Sequence, residues 1–510
     1  MEISLIFPPN SIEYKDIVWS DKEIPQPPQT APVELAAYIN QYSPKTEILS
    51  ISPEKPTRQG FEQRTDEEIL AFCENSDIVG FTCLFTNQEY AQNLAKRLKE
   101  INPAIQIVLG GPNVSNRYMA KRVLEKTSID YVVIGDGEEA LLALVEEKQL
   151  KSIPNLAYRR DNKIIFNPNK NVNLNSIPIW DPGDSLDGRV ILETYYNRNS
   201  ELYRRLIKTE GRTPGEIGVF SRRGCAKASG ELGNKPGLCN FCTSGRNPKS
   251  RVMNPRNFWR QILFLYDKYG LQDFFIADNI FGVNLEEVIG FENVKRDMGI
   301  SDDINFRAYS YPSVLLGENG IQIAQSLRRI GITNIFLGVE NFDKNILARA
   351  NKEYVSPEQV SKSIEILGNS GIDTYLPLLL GLLGESNESL ELNKKEFKKL
   401  IKKYGKTKTG LGGLVRLDIS PAMPTVGTSW FMKLLQNIKI QEEYLKKTGK
   451  TLTEDLFPDF DELRKLSIKY FSSTDEEELN STKDYLTKIA LEYLPKTIAC
   501  GSFNKRKKRD

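Results

Sequence analysis

The run RRGCAKASGELGNKPGLCNFCTSG, residues 222–245, holds three of the six cysteines in a chain of 510 residues. They are spaced C-x13-C-x2-C, as Cys225, Cys239 and Cys242. So few cysteines in so long a chain make no disulfide framework, and thiolates grouped on a polar loop point to a metal. A closed zinc site wants four ligands. Here the fourth would have to be a carboxylate, because Cys73, Cys83 and Cys500 lie far along the chain. An iron–sulfur cluster also takes soft thiolates, and three of them on four irons leave one iron open to a small molecule. Cys73, in the helix-like EEILAFCEN, and Cys83, near the end of the strand-like DIVGFTCLF, read as small core residues. The chain has no histidine. That removes Cys2His2 zinc sites, Ser–His and Cys–His nucleophile pairs, and any imidazole axial ligand.

The elements that must position these thiols alternate between strand and helix from residue 216 to about 425, in a region read as a partial barrel over 216–430. EIGVF leads into Cys225, and the insert AKASGELGNKPGL reads as loop. The helix NPRNFWRQILFLYDKYG follows, with Asn254 as N-cap and Pro255 at its first position. Later strands are DFFIAD (273–278), INFRAYS (304–310), NIFLGVE (334–340), DTYLPLLLG (373–381) and GLVRLDIS (413–420), with helical patterns between them. This alternation predicts a parallel sheet with crossover helices, whose function gathers at the C-terminal strand ends. Asp278, Asn279, Arg307, Tyr309, Glu340, Asn341, Glu385 and Asp418 stand there.

Residues 1–150 carry a second α/β pattern, read as a doubly wound domain. Its strands run into VLGGPNVS and VIGDGEE, whose glycines let the backbone approach a bulky ligand. Neither is a G-x-G-x-x-G loop, and GDGEE is too acidic to cradle phosphate. Residues 151–215 read as a linker with a β-hairpin turning at Asp161 and Asn162. Residues 431–510 read as a charged helical region whose basic tail, NKRKKRD, is expected to be disordered.

Composition is that of a globular protein, with 40% hydrophobic and 27% charged residues. A net charge of +2 implies no broad attraction to nucleic acid or membrane. The longest apolar run, TYLPLLLGLLG (374–384), is too short to span a bilayer and contains Pro377 and Gly381. The first residues lack the basic flank of a signal peptide, so a cytoplasmic enzyme is the expectation.

RGC…CNFC resembles the cluster motif of radical S-adenosylmethionine (SAM) enzymes, whose usual spacing is C-x3-C-x2-C. The longer spacing here is a departure that a loop absorbs at modest entropic cost. ADNIF resembles the family's acidic motif, FLGVENFDKNILARANK its GVES segment, LLLGLLGES its GLPGET turn, and SPAMPTVGTSW its proline-rich segment. GGPN (110–113) and GDGE (135–138) resemble the GGPH and GEGE of the cobalamin-binding domain found in one large subfamily. The resemblance runs over residues 1–430. It implies an α/β chain: an N-terminal doubly wound, Rossmann-like cobalamin-binding domain, a partial (β/α)6 radical SAM barrel, and a small C-terminal helical region.

The same resemblance implies a [4Fe-4S] cluster on Cys225, Cys239 and Cys242, with SAM on the open iron. Phe241 would lie against adenine, and Asp278, Arg307 and Glu340 would also bind SAM. Cobalamin would meet Thr82, Asn87, Gly110, Gly111, Asn113, Ser115, Gly135, Gly137 and Glu138. Tyr309 and Tyr311 would face the substrate. The implied reaction is methylation of an unactivated carbon in a peptide or natural product, with an external electron donor of flavodoxin or ferredoxin type. Two alternatives stay open: a non-methylating ring contraction, cyclisation or rearrangement on the same cofactors, and a non-catalytic zinc protein.

Overall fold

The computed structural model describes residues 1–8, 29–57, 60–84, 86–204, 216–233, 236–243, 249–404 and 415–493. The basic tail and Cys500 lie outside the described residues. The chain forms two compact units: Met1–Gly218 with Arg260–Leu271, and Val219–Trp259 with Gln272–Ala499.

The first unit is built on β1 (Glu2–Ile6), β2 (Glu47–Ile51), a small hairpin of β3 (Glu54–Thr57) and β4 (Gly60–Gln63), β5 (Ile78–Thr82), β6 (Gln106–Gly110), β7 (Tyr131–Val133), β8 (Leu156–Arg160), β9 (Lys163–Phe166) and β10 (Ser185–Leu186). Outside that hairpin they form one sheet in the order β10-β2-β1-β5-β6-β7-β8-β9. The pairs from β2 through β7 are parallel, so chain direction across the sheet reverses between β1 and β5. That is the switch point of a doubly wound fold, outside whose strand ends ligands bind. Apolar residues on the strands and helices interlock on one face, among them Ile3, Leu5, Ile39, Ile78, Val108, Val133, Leu141 and Leu144.

One sequence expectation is corrected here. The hairpin at 156–166 is no linker. β8 pairs antiparallel with β7, Tyr131 opposite Tyr158, and continues the sheet. The turn falls at Asp161 and Asn162, both at positive φ, as read from the sequence. Leu156 and Tyr158 are buried in the same core, a long-range partner that a local pattern does not reveal. β10 likewise pairs with β2.

The second unit holds β11 (Ile217–Val219), β12 (Arg222–Arg223), β13 (Arg251–Val252), β14 (Asp273–Ile276), β15 (Asn305–Ser310), β16 (Ile332–Leu337), β17 (Asp373–Leu380) and β18 (Val415–Pro421). Six of them form a sheet in the order β11-β14-β15-β16-β17-β18, and the pairs from β14 to β18 are parallel. Strand order thus follows chain order, as repeated right-handed β–helix–β units produce. This is the expected partial (β/α)6 barrel. Phe258 and Trp259 of the helix Pro255–Tyr269 pack with Phe291, Phe274 and Phe306 against one face of the sheet. Asn254 caps that helix, its Oδ1 accepting from the Arg256 amide at 2.9 Å.

The C-terminal helices Ser429–Gln436, Ile438–Thr448, Phe460–Phe471 and Glu476–Tyr493 belong to this unit rather than standing apart. Trp430 is fully buried and donates Nε1–H to Ser467 Oγ at 2.9 Å. Lys398 donates to the Tyr485 hydroxyl at 2.7 Å. Among the described residues no helix is long and apolar enough to cross a membrane.

Candidate active site

Cys225, Cys239 and Cys242 are partly exposed, whereas Cys73 and Cys83 are fully buried. Burial pushes the Cys73 thiol up to about 12 and the Cys83 thiol higher still, so both are core residues, as the sequence suggested. The cysteine loop is closed at its base by the antiparallel pair β12–β13, with Arg222 opposite Val252. At the neck, Gly224 has φ +87°, and a Cβ there would sit 2.3 Å from the Lys249 carbonyl oxygen. Only glycine passes so close to another backbone in that conformation.

The described residues of the insert between the first two cysteines are latched. Residues Ala226–Ser229 form one helical turn, and the Gly237 amide returns to the Ala228 carbonyl at 2.9 Å. Lys227, buried, donates to the carbonyls of Gly237 and Asn351, each at 2.6 Å. Asn351 Nδ2 donates to the Leu238 carbonyl at 2.7 Å. Asn240 donates its amide to the Ala350 carbonyl at 2.9 Å and Nδ2 to the Arg349 carbonyl at 2.5 Å. Arg222, buried beneath the loop, donates to Glu231 of the insert at 2.7 Å and to Glu287 at 2.5 Å. Sequence reading passed over Lys227, Asn351 and Arg222 because Lys227 and Asn351 act on distant backbone and Arg222 on the carboxylates of Glu231 and Glu287. The local signal was the place of Arg222 inside the motif RRGC and of Asn351 inside ARANK.

Asp278 has a different role from the one implied. It is buried, with Oδ1 accepting the Ser221 and Arg222 amides at 2.9 Å each and Oδ2 accepting the Ser221 hydroxyl. Burial pushes its carboxyl up to about 7 despite those donors. Its oxygens hold the strand that enters the cysteine loop, so its surroundings offer no open face to a cofactor. Neighbouring Asn279 donates Nδ2 to the Gly224 carbonyl at 2.7 Å.

Glu340 lies just past β16 at φ +63°, a left-handed conformation that costs a non-glycine residue on the order of 1–3 kcal/mol. Two sheet-like bonds hold it there: its amide donates to the Pro377 carbonyl at 2.9 Å, and its carbonyl accepts from the Leu379 amide at 3.0 Å. Lys352 donates to its Oε1 at 2.8 Å. Burial and the charge of Glu340 together raise the Asp418 carboxyl, which puts the two carboxylates in one neighbourhood.

The sheet face turned away from the packed helices carries a row of rings. Phe275 contacts Tyr309 at 5.4 Å between centroids, Tyr309 contacts Phe336 at 5.1 Å, and Phe336 stacks on Tyr375 at 4.7 Å. The Arg307 guanidinium lies 5.8 Å from the Phe336 centroid. Tyr309, 40% exposed, is open to a ligand from this face. Tyr311 is not: it is buried, its ring under the Lys352 ammonium at 4.7 Å and its hydroxyl donating to the Glu353 carbonyl at 3.4 Å. The Phe241 side chain is partly exposed, and its carbonyl accepts from Thr425 at 3.4 Å. Among the described residues no three Cys, Asp or Glu groups converge on a point that a single ion could occupy.

In the first unit, most of the residues expected at cobalamin gather at the C-terminal ends of adjacent strands β5, β6 and β7. Gly111 has φ +97°, and a Cβ there would meet the Cys83 backbone at 2.8 Å, whereas Gly110 and Gly135 face open space. Ser115 Oγ donates to the Gly111 carbonyl at 2.8 Å, and Asn113 bonds Gln88. Asn113 Oδ1, Gln88 Nε2 and both amide atoms of Gln92 are buried without a hydrogen-bond partner among the described residues. Thr82 is partly exposed at the end of β5. Asn87 is spent inside the protein, accepting from the Leu84 amide at 2.7 Å and donating to the Pro8 carbonyl at 3.2 Å. Gly137 packs against Leu35, and Glu138 is buried in the first turn of the helix Glu138–Val145.

Residues 35–145 match the B12 binding domain family. The chain is 27% identical over 327 residues to the anaerobic magnesium-protoporphyrin IX monomethyl ester cyclase of Rubrivivax gelatinosus, a match covering 62% of this chain and 53% of that protein. It is 26% identical over 333 residues to an uncharacterized methyltransferase of Pyrococcus horikoshii, covering 64% of each. The chain therefore spans between half and two thirds of these relatives' lengths. Among solved structures it is similar to the radical SAM methyltransferase TsrM of Kitasatospora setae, determined with cobalamin and a [4Fe-4S] cluster bound. That similarity has a TM-score of 0.57 and 16% identity, over 85% of this chain and 74% of that one. The domain and the fold implied by the sequence resemblance are thus both found.

Proposed function

We propose that this chain, which joins a B12 binding domain to a radical SAM barrel fold, is a cobalamin-dependent radical SAM enzyme that methylates an unactivated carbon. The observation that carries the reading is the cysteine loop: three partly exposed thiols, pinned by Lys227, Asn240 and Asn351 at the mouth of a parallel sheet. The donor types suit the groups. Cys225, Cys239 and Cys242 would hold the [4Fe-4S] cluster, leaving one iron for SAM. Gly110, Gly111 and Gly135 offer bare backbone to a cobalamin, and Gln88 Nε2, Asn113 Oδ1 and both amide atoms of Gln92 are buried polar atoms without a partner among the described residues. Thr82 and Ser115 stand beside them. When bound, the cofactors supply radical cleavage of SAM and the methyl group.

The chain's own residues position and enclose. Glu340 presents a carboxylate beside the cysteine loop, held by Lys352. Phe241 offers a ring to the adenine, and Arg307 and Tyr309 line the face on which a small-molecule or peptide substrate would lie. The electron would come from an external donor such as a flavodoxin or ferredoxin. With no histidine in the chain, no imidazole from this protein can approach cobalt.

The test is anaerobic. Reconstituted protein with cobalamin, SAM and a reductant is assayed for 5′-deoxyadenosine and S-adenosylhomocysteine by mass spectrometry. Both products are expected. 5′-Deoxyadenosine alone would favour a non-methylating outcome, the reading that likeness to a cyclase supports. Neither product from iron-replete protein would overturn the reading.

A further inference from the structure

Lys352 is a largely buried cation of the candidate site, and no motif assigns it a role. Its side chain is 7% exposed and that of its partner Glu340 is 13% exposed. The ammonium is bonded to Glu340 Oε1 at 2.8 Å and sits 4.7 Å from the Tyr311 ring centroid. Gly338 makes room for this trio: a Cβ there would lie 3.2 Å from Lys352 Nζ, 3.3 Å from Glu340 Oε1 and 3.5 Å from the Tyr311 ring. The preceding residues, Arg349 to Asn351, are those hydrogen-bonded to Leu238 and Asn240, on either side of Cys239. Lys352 therefore stands next to the segment that grips the cysteine loop. The ion pair with Glu340 compensates the charge of Lys352 in this poorly solvated place.

We propose that Lys352 is a positioning residue for the redox centre: its buried ammonium fixes the Glu340 carboxylate and places a permanent positive charge beside Cys239, which raises the reduction potential of the cluster. The proposal rests on the cluster reading above. Reduction adds one electron, and so one negative charge, to a centre that already carries three thiolates. A cation held nearby in a poorly solvated site stabilises the reduced form more than the oxidised one. Only a group that is both buried and fixed does this, because an exposed lysine is screened by water and salt.

The experiment uses full-length reconstituted wild type, Lys352→Met, Lys352→Arg and Glu340→Gln. Iron per chain is measured, then the midpoint potential by titration with dithionite, monitored by electron paramagnetic resonance without SAM. Lys352→Met, similar in length and uncharged, is expected to keep its iron and shift the midpoint to more negative potential. Lys352→Arg restores it in large part. Glu340→Gln removes the compensating negative charge and shifts the midpoint the other way. SAM affinity falls several-fold in Lys352→Met, because Glu340 loses its anchor. Unchanged midpoints in iron-replete Lys352→Met and Glu340→Gln overturn the proposal while leaving the cluster reading intact. Should Lys352→Met fail to load iron, the sign of the Glu340→Gln shift decides: a positive shift supports the charge effect, and none or a negative one overturns it. Wild type that assembles no cluster overturns the underlying reading and this proposal with it.

Discussion

At the residue scale, chemistry and support are carried by different side chains that look alike in sequence. Cys225 and Cys83 are both lone cysteines near strand ends, yet one is partly exposed on a pinned loop and the other is sealed in a core. Cys225→Ala should therefore abolish 5′-deoxyadenosine formation and lower iron per chain, whereas Cys83→Ala should affect stability alone. Iron analysis and product assay on both variants separate the two roles. Asp278 looks catalytic by position but is structural by its bonds. Its carboxyl, pushed up to about 7 by burial, holds a proton in the folded protein that the unfolded chain has already released. Between about pH 4 and 7 the folded state binds the extra proton, so this residue's contribution falls as pH rises and is lost above about 7. Asp278→Asn removes that dependence. The melting temperature of wild type relative to Asp278→Asn should fall from about pH 5 to about 7.5, and a constant difference would contradict the assignment.

At the element scale, the long spacing between Cys225 and Cys239 becomes intelligible. A loop of that length would be floppy if held only at its ends. Here β12–β13 close its base, and Lys227 clamps its far end to the segment after the helix Lys344–Arg349. Lys227→Met leaves the part-buried carbonyls of Gly237 and Asn351 without that donor, and an unsatisfied acceptor costs up to about 1–3 kcal/mol where water cannot reach it. The expected result is a several-fold loss of iron retention on gel filtration, with cobalamin uptake unchanged. Undiminished iron would show that the latch is dispensable. Strand and helix periodicity made these elements readable in advance. Their clamps were not, because hydrogen bonds from a side chain to a remote carbonyl leave no local pattern.

At the scale of the whole molecule, the two compact units have separate cores, so damage to one site should spare loading at the other. Gly111→Val tests this: the new side chain meets the Cys83 backbone, and φ +97° is strained for valine. Cobalamin bound per chain, read by absorbance after desalting, should fall sharply while iron per chain holds. Loss of both would mean that the units do not load independently. The sequence by itself determined the alternating order of strands and helices, the burial of Cys73 and Cys83, the turn at Asp161 and Asn162, and which thiols could bind a cluster. All of these follow from period, capping and residue chemistry over a few neighbours. Tertiary structure alone decided that the 156–166 hairpin completes a sheet, that Asp278 and Asn87 are spent inside the protein, that Tyr311 lies under Lys352 while Tyr309 stays open, and that residues 349–351 grip the cysteine loop. Each depends on which distant backbone or ring a side chain meets, and that is set only when the sheets pair and their helices pack.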